Sequence, residues 1–287
     1  MSAPALPAPA SWLPLVERAL AEDIGSGDVT ANAVLPPELR CEGVIEARSP
    51  LVVCGLEVAL SVFAAVDAGL DAETLSAEGD GVAAGSPLLR IEGGAHSLLA
   101  AERTALNFLG RLCGVASHTR RYVEAVAGTG VEIVDTRKTL PGWRVLDKYA
   151  VAVGGGRNHR FGLYDALLIK DNHIAAAGGV SAAVAAARAA APPHLMLQVE
   201  VESEAQAAEA IAAGARFLLL DNQSPAQLRC LAARFREQAV LEASGGVTLA
   251  NVREIAETGV QRISIGALTH SAPNADVALE LRPGGGV

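Results

Sequence analysis

Lysine is scarce in this chain: three among 287 residues, against twenty arginines. Aromatic residues make up 3 % and the net charge is -9, a balance that excludes the basic stripe or stacking platform a nucleic-acid binder needs. The four cysteines (Cys41, Cys54, Cys113, Cys230) show no C-x-x-C spacing. They are therefore expected as buried, reduced thiols, and neither a zinc site nor a disulfide framework is expected. No apolar run reaches the ~18 residues of a membrane span. The Ala/Pro-rich start, residues 1–14, has no basic n-region and no apolar h-region, so it reads as a disordered leader and not as a signal peptide. Together these absences predict a cytoplasmic protein with no membrane and no nucleic-acid partner.

The lysines that are present, Lys138, Lys148 and Lys170, all fall in one window of 33 residues. Lys offers a compact, mobile ammonium where Arg offers a rigid planar fork, so a chain that otherwise writes Arg has kept Lys where that difference counts. The window holds Asp135-Thr136-Arg137-Lys138-Thr139, then Gly154-Gly155-Gly156-Arg157-Asn158-His159-Arg160, then Leu167-Leu168-Ile169-Lys170-Asp171-Asn172-His173. A solvated charged face is the bland alternative. Against it, Lys170 closes an apolar strand pattern and does not sit on a polar helix face, so the cluster reads as a pocket for a small polyanion.

From about residue 131, short apolar runs alternate with Ala-rich helical stretches. The runs are 131–134, 166–169, 195–201, 217–220, 240–241 and 262–265; the helices are predicted over 181–190, 204–213, 225–236 and 248–257. This alternation builds a parallel sheet. Each run ends on a polar or glycine residue: Asp135 to Lys138, Lys170, Glu200, Asp221, Ser244-Gly245-Gly246 and Gly266. In a closed parallel sheet those ends share one face. No G-x-G-x-x-G follows the first strand, which disfavours an open doubly wound sheet. The expected class is α/β, with an incomplete α/β barrel over residues 113–272. An α+β domain is expected over 1–112, with strands near 41–47, 51–53 and 87–91 and helices over 56–68 and 97–112; residues 273–287 are expected to pack back on it.

The glycine-rich strand ends Ser244-Gly245-Gly246-Val247-Thr248 and Ile265-Gly266-Ala267 offer bare backbone N–H groups, as a barrel uses to hold phosphate. Ordinary turn glycines, with Thr248 capping the next helix, are the alternative. Glu200 and Asp221 are acids that end apolar strands, suited to Mg²⁺ on a pyrophosphate or to ion pairs with Lys138 or Lys170.

Together with Glu22 to Thr30 and Ala101-Glu102-Arg103-Thr104-Ala105-Leu106-Asn107, these strings resemble the quinolinate phosphoribosyltransferases, with compatible spacing from about residue 12 to 281. The resemblance implies transfer of phosphoribosyl from phosphoribosyl pyrophosphate to quinolinate with loss of CO₂, in a homodimer that shares its sites and is compatible with higher assembly. It implies that Thr136, Arg137, Lys138, His159, Arg160 and Lys170 surround the quinolinate carboxylates, with Arg103 arriving from the second subunit. By the same resemblance Glu200 and Asp221 lie by the ribose and Mg²⁺, while Ser244, Gly245, Gly246, Ile265, Gly266 and Ala267 hold the 5′-phosphate; Lys138, Lys170, Glu200 and Asp221 are the implied catalytic set. His118 and His173 are expected to be structural. Two departures are Gln198 and Gln223, where many members carry an acid and an apolar residue. The alternatives are a nicotinate phosphoribosyltransferase, for which so many cations are too many, and a molybdenum-transport-associated homologue, against which the intact Arg-Lys-Thr and His-Arg strings count.

Overall fold

The computed structural model describes residues 4–283. The elements open with α1 (Leu13–Ile24), α2 (Val29–Val34), β1 (Arg40–Ala47), β2 (Leu51–Val52), α3 (Leu56–Val66), β3 (Asp71–Thr74), β4 (Gly81–Val82), β5 (Pro87–Gly94) and α4 (Ala95–Ala125). They continue as β6 (Glu132–Val134), α5 (Arg144–Val153), β7 (Leu167–Ile169), α6 (Asp171–Ala177), α7 (Val180–Ala190), β8 (Leu197–Val201), α8 (Glu204–Ala212) and β9 (Phe217–Asp221). The rest are α9 (Pro225–Phe235), β10 (Val240–Ser244), α10 (Val252–Ala256), β11 (Arg262–Ser264), α11 (Ala267–His270) and β12 (Val277–Pro283). Among the described residues no single helix is long and apolar enough to cross a membrane.

Contacts group the chain into two compact units, residues 4–120, 139–155 and 271–283 in one and 121–138 with 156–270 in the other. The boundary read from the sequence at 112/113 falls inside α4, and residues 139–155, expected with the barrel, group with the first unit. Residues 1–3 of the expected leader and 284–287 of the expected C-terminal segment lie outside the described residues.

The first unit is built on an antiparallel sheet of order β12-β1-β5-β3. Its strands alternate as a half-covered sheet should: Ile45 and Ala47 of β1 and Leu89 and Ile91 of β5 are fully buried, while Arg90 and Glu92 are exposed. Residues 273–277 cross α4 where it has no side chain. The Ala275 N–H donates to Gly110 O at 2.8 Å, and a Cβ on Gly114 would run into Pro273 O. Those two glycines let the segment pass close to α4, which continues well past the predicted end at 112. Residues 9–14 are not a loose leader, because Trp12 is buried and its indole N–H donates to Pro7 O at 2.9 Å. Glu78, in the turn before β4, caps α3 by accepting from the N–H groups of Gly55 (2.9 Å) and Leu56 (2.7 Å).

The second unit holds a parallel sheet of order β6-β11-β10-β9-β8-β7. A single parallel bridge, Val134 to Arg157, adds a further stretch beside β6, giving an incomplete barrel. Val199, Val201, Leu218, Leu220, Leu241, Ala243 and Ile263 are buried, and α7, α8 and α9 connect consecutive strands. Ser203 and Ser224 cap α8 and α9 through their hydroxyls. The helix predicted from Thr248 begins only at Val252: the Thr248 N–H donates to Asn251 Oδ1 at 2.8 Å, closing a turn in place of a cap.

Candidate active site

Side chains alternate sides along a strand, so a polar residue two places before a functional strand end shares its face. The registers place Gln198 opposite Leu168, Leu219 opposite both Glu200 and Glu242, and Asp221 opposite Ser244. One face of β7 to β11 therefore carries Leu168 and Gln198 in one row, Glu200, Leu219 and Glu242 in the next, and Asp221, Ser244 and Ser264 in the row towards the C-terminal ends, with Lys170 two places after Leu168. A cavity of about 250 Å³ opens there. Thr136, Arg137, Lys138, His159, Arg160, Lys170, Glu200, Asp221 and Ser244 line it, with Leu168, Leu219, Glu242 and Ser264. A larger cavity of about 630 Å³ lies at the opposite strand ends, around Leu167, Leu197 and Phe217. It contains no acid and none of the residues singled out from the sequence, so the smaller, doubly charged cavity is the candidate site.

The cations are arranged for an anion. Burial, and then the Arg137 charge beside it, pull the Arg160 guanidinium below its usual range, while Asp165 opposes them. Two guanidiniums that repel each other in a partly dry pocket favour a bound carboxylate, which a planar fork grips with two hydrogen bonds. Lys170 Nζ lies 3.8 Å from Glu200 Oε2, the ion pair that was one of the two readings of this acid. Burial pushes the Glu200 carboxyl above the usual range; Lys170 pulls it back, and Asp221 adds to the upward push. Lys138 is exposed, and its neighbour across the site is Gly266, where a Cβ would sit 2.9 Å from Lys138 Cδ. Glycine there leaves room for the lysine stem.

Beneath these groups lies a polar layer, of which sequence reading missed Glu242. The His159 N–H donates to buried Asp135 Oδ1 at 2.7 Å, and His159 Nδ1 accepts from the Arg160 N–H at 2.7 Å. The ring proton therefore sits on Nε2, which donates to Gln198 Oε1 at 2.8 Å. Both ring nitrogens meet protein groups, the ring lines the cavity, and Nδ1 holds the Arg160 backbone. Glu242, 1 % exposed, stands 3.5 Å from His159 Nε2 and 3.4 Å from Arg262 Nη1. Its spacing two before Ser244, like that of Gln198 before Glu200, is the signal that marks both.

The glycine loops contribute unequally. Ser244 reaches the cavity, whereas Gly245, Gly246, Gly266 and Ala267 follow the strand ends without lining it. The Ile265 side chain is buried and its N–H donates to Val134 O at 2.9 Å, which fixes the start of the Gly266 loop to the sheet. Arg103 is exposed on α4, in the other unit. His173 is structural as expected, its Nδ1 accepting from the Lys170 N–H at 3.0 Å to start α6. Among the described residues no cluster of three or more His, Cys, Asp or Glu is poised for a metal. Glu200 and Asp221, close enough for one to shift the other, suit a hard cation that fills its shell from phosphate and water.

The descriptions "Quinolinate phosphoribosyl transferase, N-terminal domain" and "C-terminal domain" match residues 28–113 and 115–280. The chain belongs to the quinolinate phosphoribosyl transferase family. Within that family it is 44 % identical over 273 residues to the nicotinate-nucleotide pyrophosphorylase [carboxylating] of Mycobacterium leprae, covering 93 % of this chain and 95 % of that one. It is 41 % identical over 260 residues to the probable enzyme of the same name from Bacillus subtilis, covering 91 % and 90 %. The crystal structure of NadC from Streptococcus pyogenes superposes with a TM-score of 0.94 at 39 % identity, covering 98 % of this chain and 99 % of that one. The two-part architecture and the incomplete barrel are thus those of the family.

Proposed function

We propose that this chain joins quinolinate to phosphoribosyl pyrophosphate and removes one carboxylate, giving nicotinate mononucleotide, CO₂ and pyrophosphate, a step of de novo NAD biosynthesis. The observation that carries the reading is the gathering of Arg137, Arg160, Lys138 and Lys170 with Glu200 and Asp221 around one cavity at the C-terminal strand ends. The guanidiniums of Arg137 and Arg160 grip the two carboxylates and fix the pyridine plane. Lys138 and Lys170 meet the charge of the pyrophosphate. As the ring nitrogen attacks C1′, the C1′–O bond breaks and its electron pair leaves with pyrophosphate. Glu200 and Asp221 then face the positive charge that develops on the ribose. The new pyridinium nitrogen draws the electron pair of the C2–carboxylate bond; CO₂ departs, and C2 takes a proton from water. Mg²⁺ held by Glu200 and Asp221 would neutralise pyrophosphate oxygens. We further propose a cytoplasmic homodimer in which Arg103 of a second copy completes each site.

Turnover with quinolinate and with nicotinate, each supplied with phosphoribosyl pyrophosphate and Mg²⁺, tests the reading. Quinolinate is expected to be used and nicotinate about a hundredfold more poorly. Losing the 2-carboxylate leaves cations of the pocket without partners, at roughly 1.5 to 3 kcal/mol per charged hydrogen bond. Equal use of nicotinate would sink it.

A further inference from the structure

Among the described residues Asn222 is the one non-glycine residue with positive φ, at 52°. It follows Asp221 directly, where β9 gives way to the loop before α9. Asparagine tolerates this left-handed conformation better than most residues, and a turn that needed nothing else would be served at least as well by glycine. The side chain is engaged at both of its ends. Nδ2 donates to Asp221 Oδ2 at 2.7 Å, fixing the carboxylate at the strand end. Oδ1 occupies the place a Cβ on Gly245 would take, and the Asn222 N–H donates to Ser244 O at 2.8 Å. One residue thus ties the acid that ends β9 to the glycine loop that ends β10.

We propose that Asn222 is a positioning residue for the phosphoribosyl half of the reaction: it holds the Asp221 carboxylate and the Ser244-Gly245 turn in a single register. This rests on the reading that both neighbours serve phosphoribosyl pyrophosphate. The amide hydrogen bond holds the Asp221 carboxylate in one orientation at the mouth of the strand. Gly245, at φ 95°, has backbone freedom that the Asn222 side chain limits from one side. Groups that orient a ligating carboxylate contribute about ten- to hundredfold to affinity or activity. The quinolinate side, built from Arg137 and Arg160, does not touch Asn222 in any contact found among the described residues. The effect is therefore specific to one substrate.

The test is Asn222→Gly in the full-length enzyme. Glycine keeps the left-handed backbone and removes both side-chain contacts. Its thermal unfolding is expected to match that of the unaltered chain, while KM for phosphoribosyl pyrophosphate rises about ten- to hundredfold and KM for quinolinate stays within about twofold. Asn222→Asp keeps shape and backbone fit but turns the donor into a charge beside Asp221; it is expected to show the same one-sided defect, and it serves should the glycine variant fold poorly. Unchanged KM for phosphoribosyl pyrophosphate in both variants, or equal losses for the two substrates, would overturn the proposal. Asp221→Asn measured alongside separates the two levels. If that variant binds phosphoribosyl pyrophosphate normally, the assignment of the pocket itself is wrong; if it is impaired while Asn222→Gly is not, only the role of Asn222 falls.

Discussion

Lys170 and Glu200 stand 3.8 Å apart at the ends of neighbouring strands, and the lysine favours the ionised acid. Because burial raises the Glu200 carboxyl and Lys170 lowers it, the ionised acid is lost on acidification at a higher pH than an ordinary glutamate, whose value is about 4.3. The acid limb of kcat/KM is therefore expected above the ordinary carboxylate range and, in the residual activity of Lys170→Ala, displaced further upward; a limb that stays put or moves down contradicts this. Lys138→Ala and Lys170→Ala should each lower kcat/KM by about two orders of magnitude with little change in thermal unfolding. Full activity of either would remove the lysines from the chemistry. These two were legible in the sequence because lysine is rare in it. Glu242 and Asn222 were passed over: Glu242 is marked only by lying two places before Ser244, a spacing that counts once the strand is known, and Asn222 by a backbone angle that no string of letters gives.

At the scale of elements, the strands of the parallel sheet were readable because strands covered on both faces are short apolar runs ended by polar residues. The boundaries that failed did so for identifiable reasons. The start was read as a leader from its Ala/Pro composition, yet buried Trp12 anchors it. The predicted end of α4 gave way because Gly110 and Gly114 mark a crossing by residues 273–277, not a helix terminus. One helix pair owes its register to a buried ion pair. Arg111 of α4 donates to Asp147 of α5 from Nε at 3.1 Å and from Nη2 at 2.9 Å, although burial pushes the Asp147 carboxyl up against the pull of Arg111. Asp147→Ala strands a buried guanidinium and is expected to destabilise the fold by about 3 to 5 kcal/mol in denaturant unfolding. A loss below about 1 kcal/mol would mean that water reaches Arg111 and the pair holds little.

Over the whole molecule, a chain of net charge -9 gathers two of its three lysines and a pair of arginines around one small cavity, while Lys148 is buried in α5, so attraction for polyanions is local and not a property of the surface. Residues 139–155 join the first unit by contacts distant in sequence, which no local pattern of the chain announces. Arg103 tests the proposed dimer. If each site borrows it from a second copy, Arg103→Ala and Lys138→Ala proteins are each nearly inactive. Subunit exchange then gives about half heterodimers with one intact site each, restoring roughly a quarter of full activity. No recovery after exchange confirmed by native mass spectrometry would confine Arg103 to its own chain. The central claim is that bond formation at the ring nitrogen and loss of the neighbouring carboxylate belong to one catalytic cycle. It is tested most directly with quinolinate labelled in the 2-carboxylate, by counting labelled CO₂ against mononucleotide formed. The account predicts one CO₂ released for every mononucleotide and none without phosphoribosyl pyrophosphate; mononucleotide that retains the label, or CO₂ released from quinolinate alone, would contradict it.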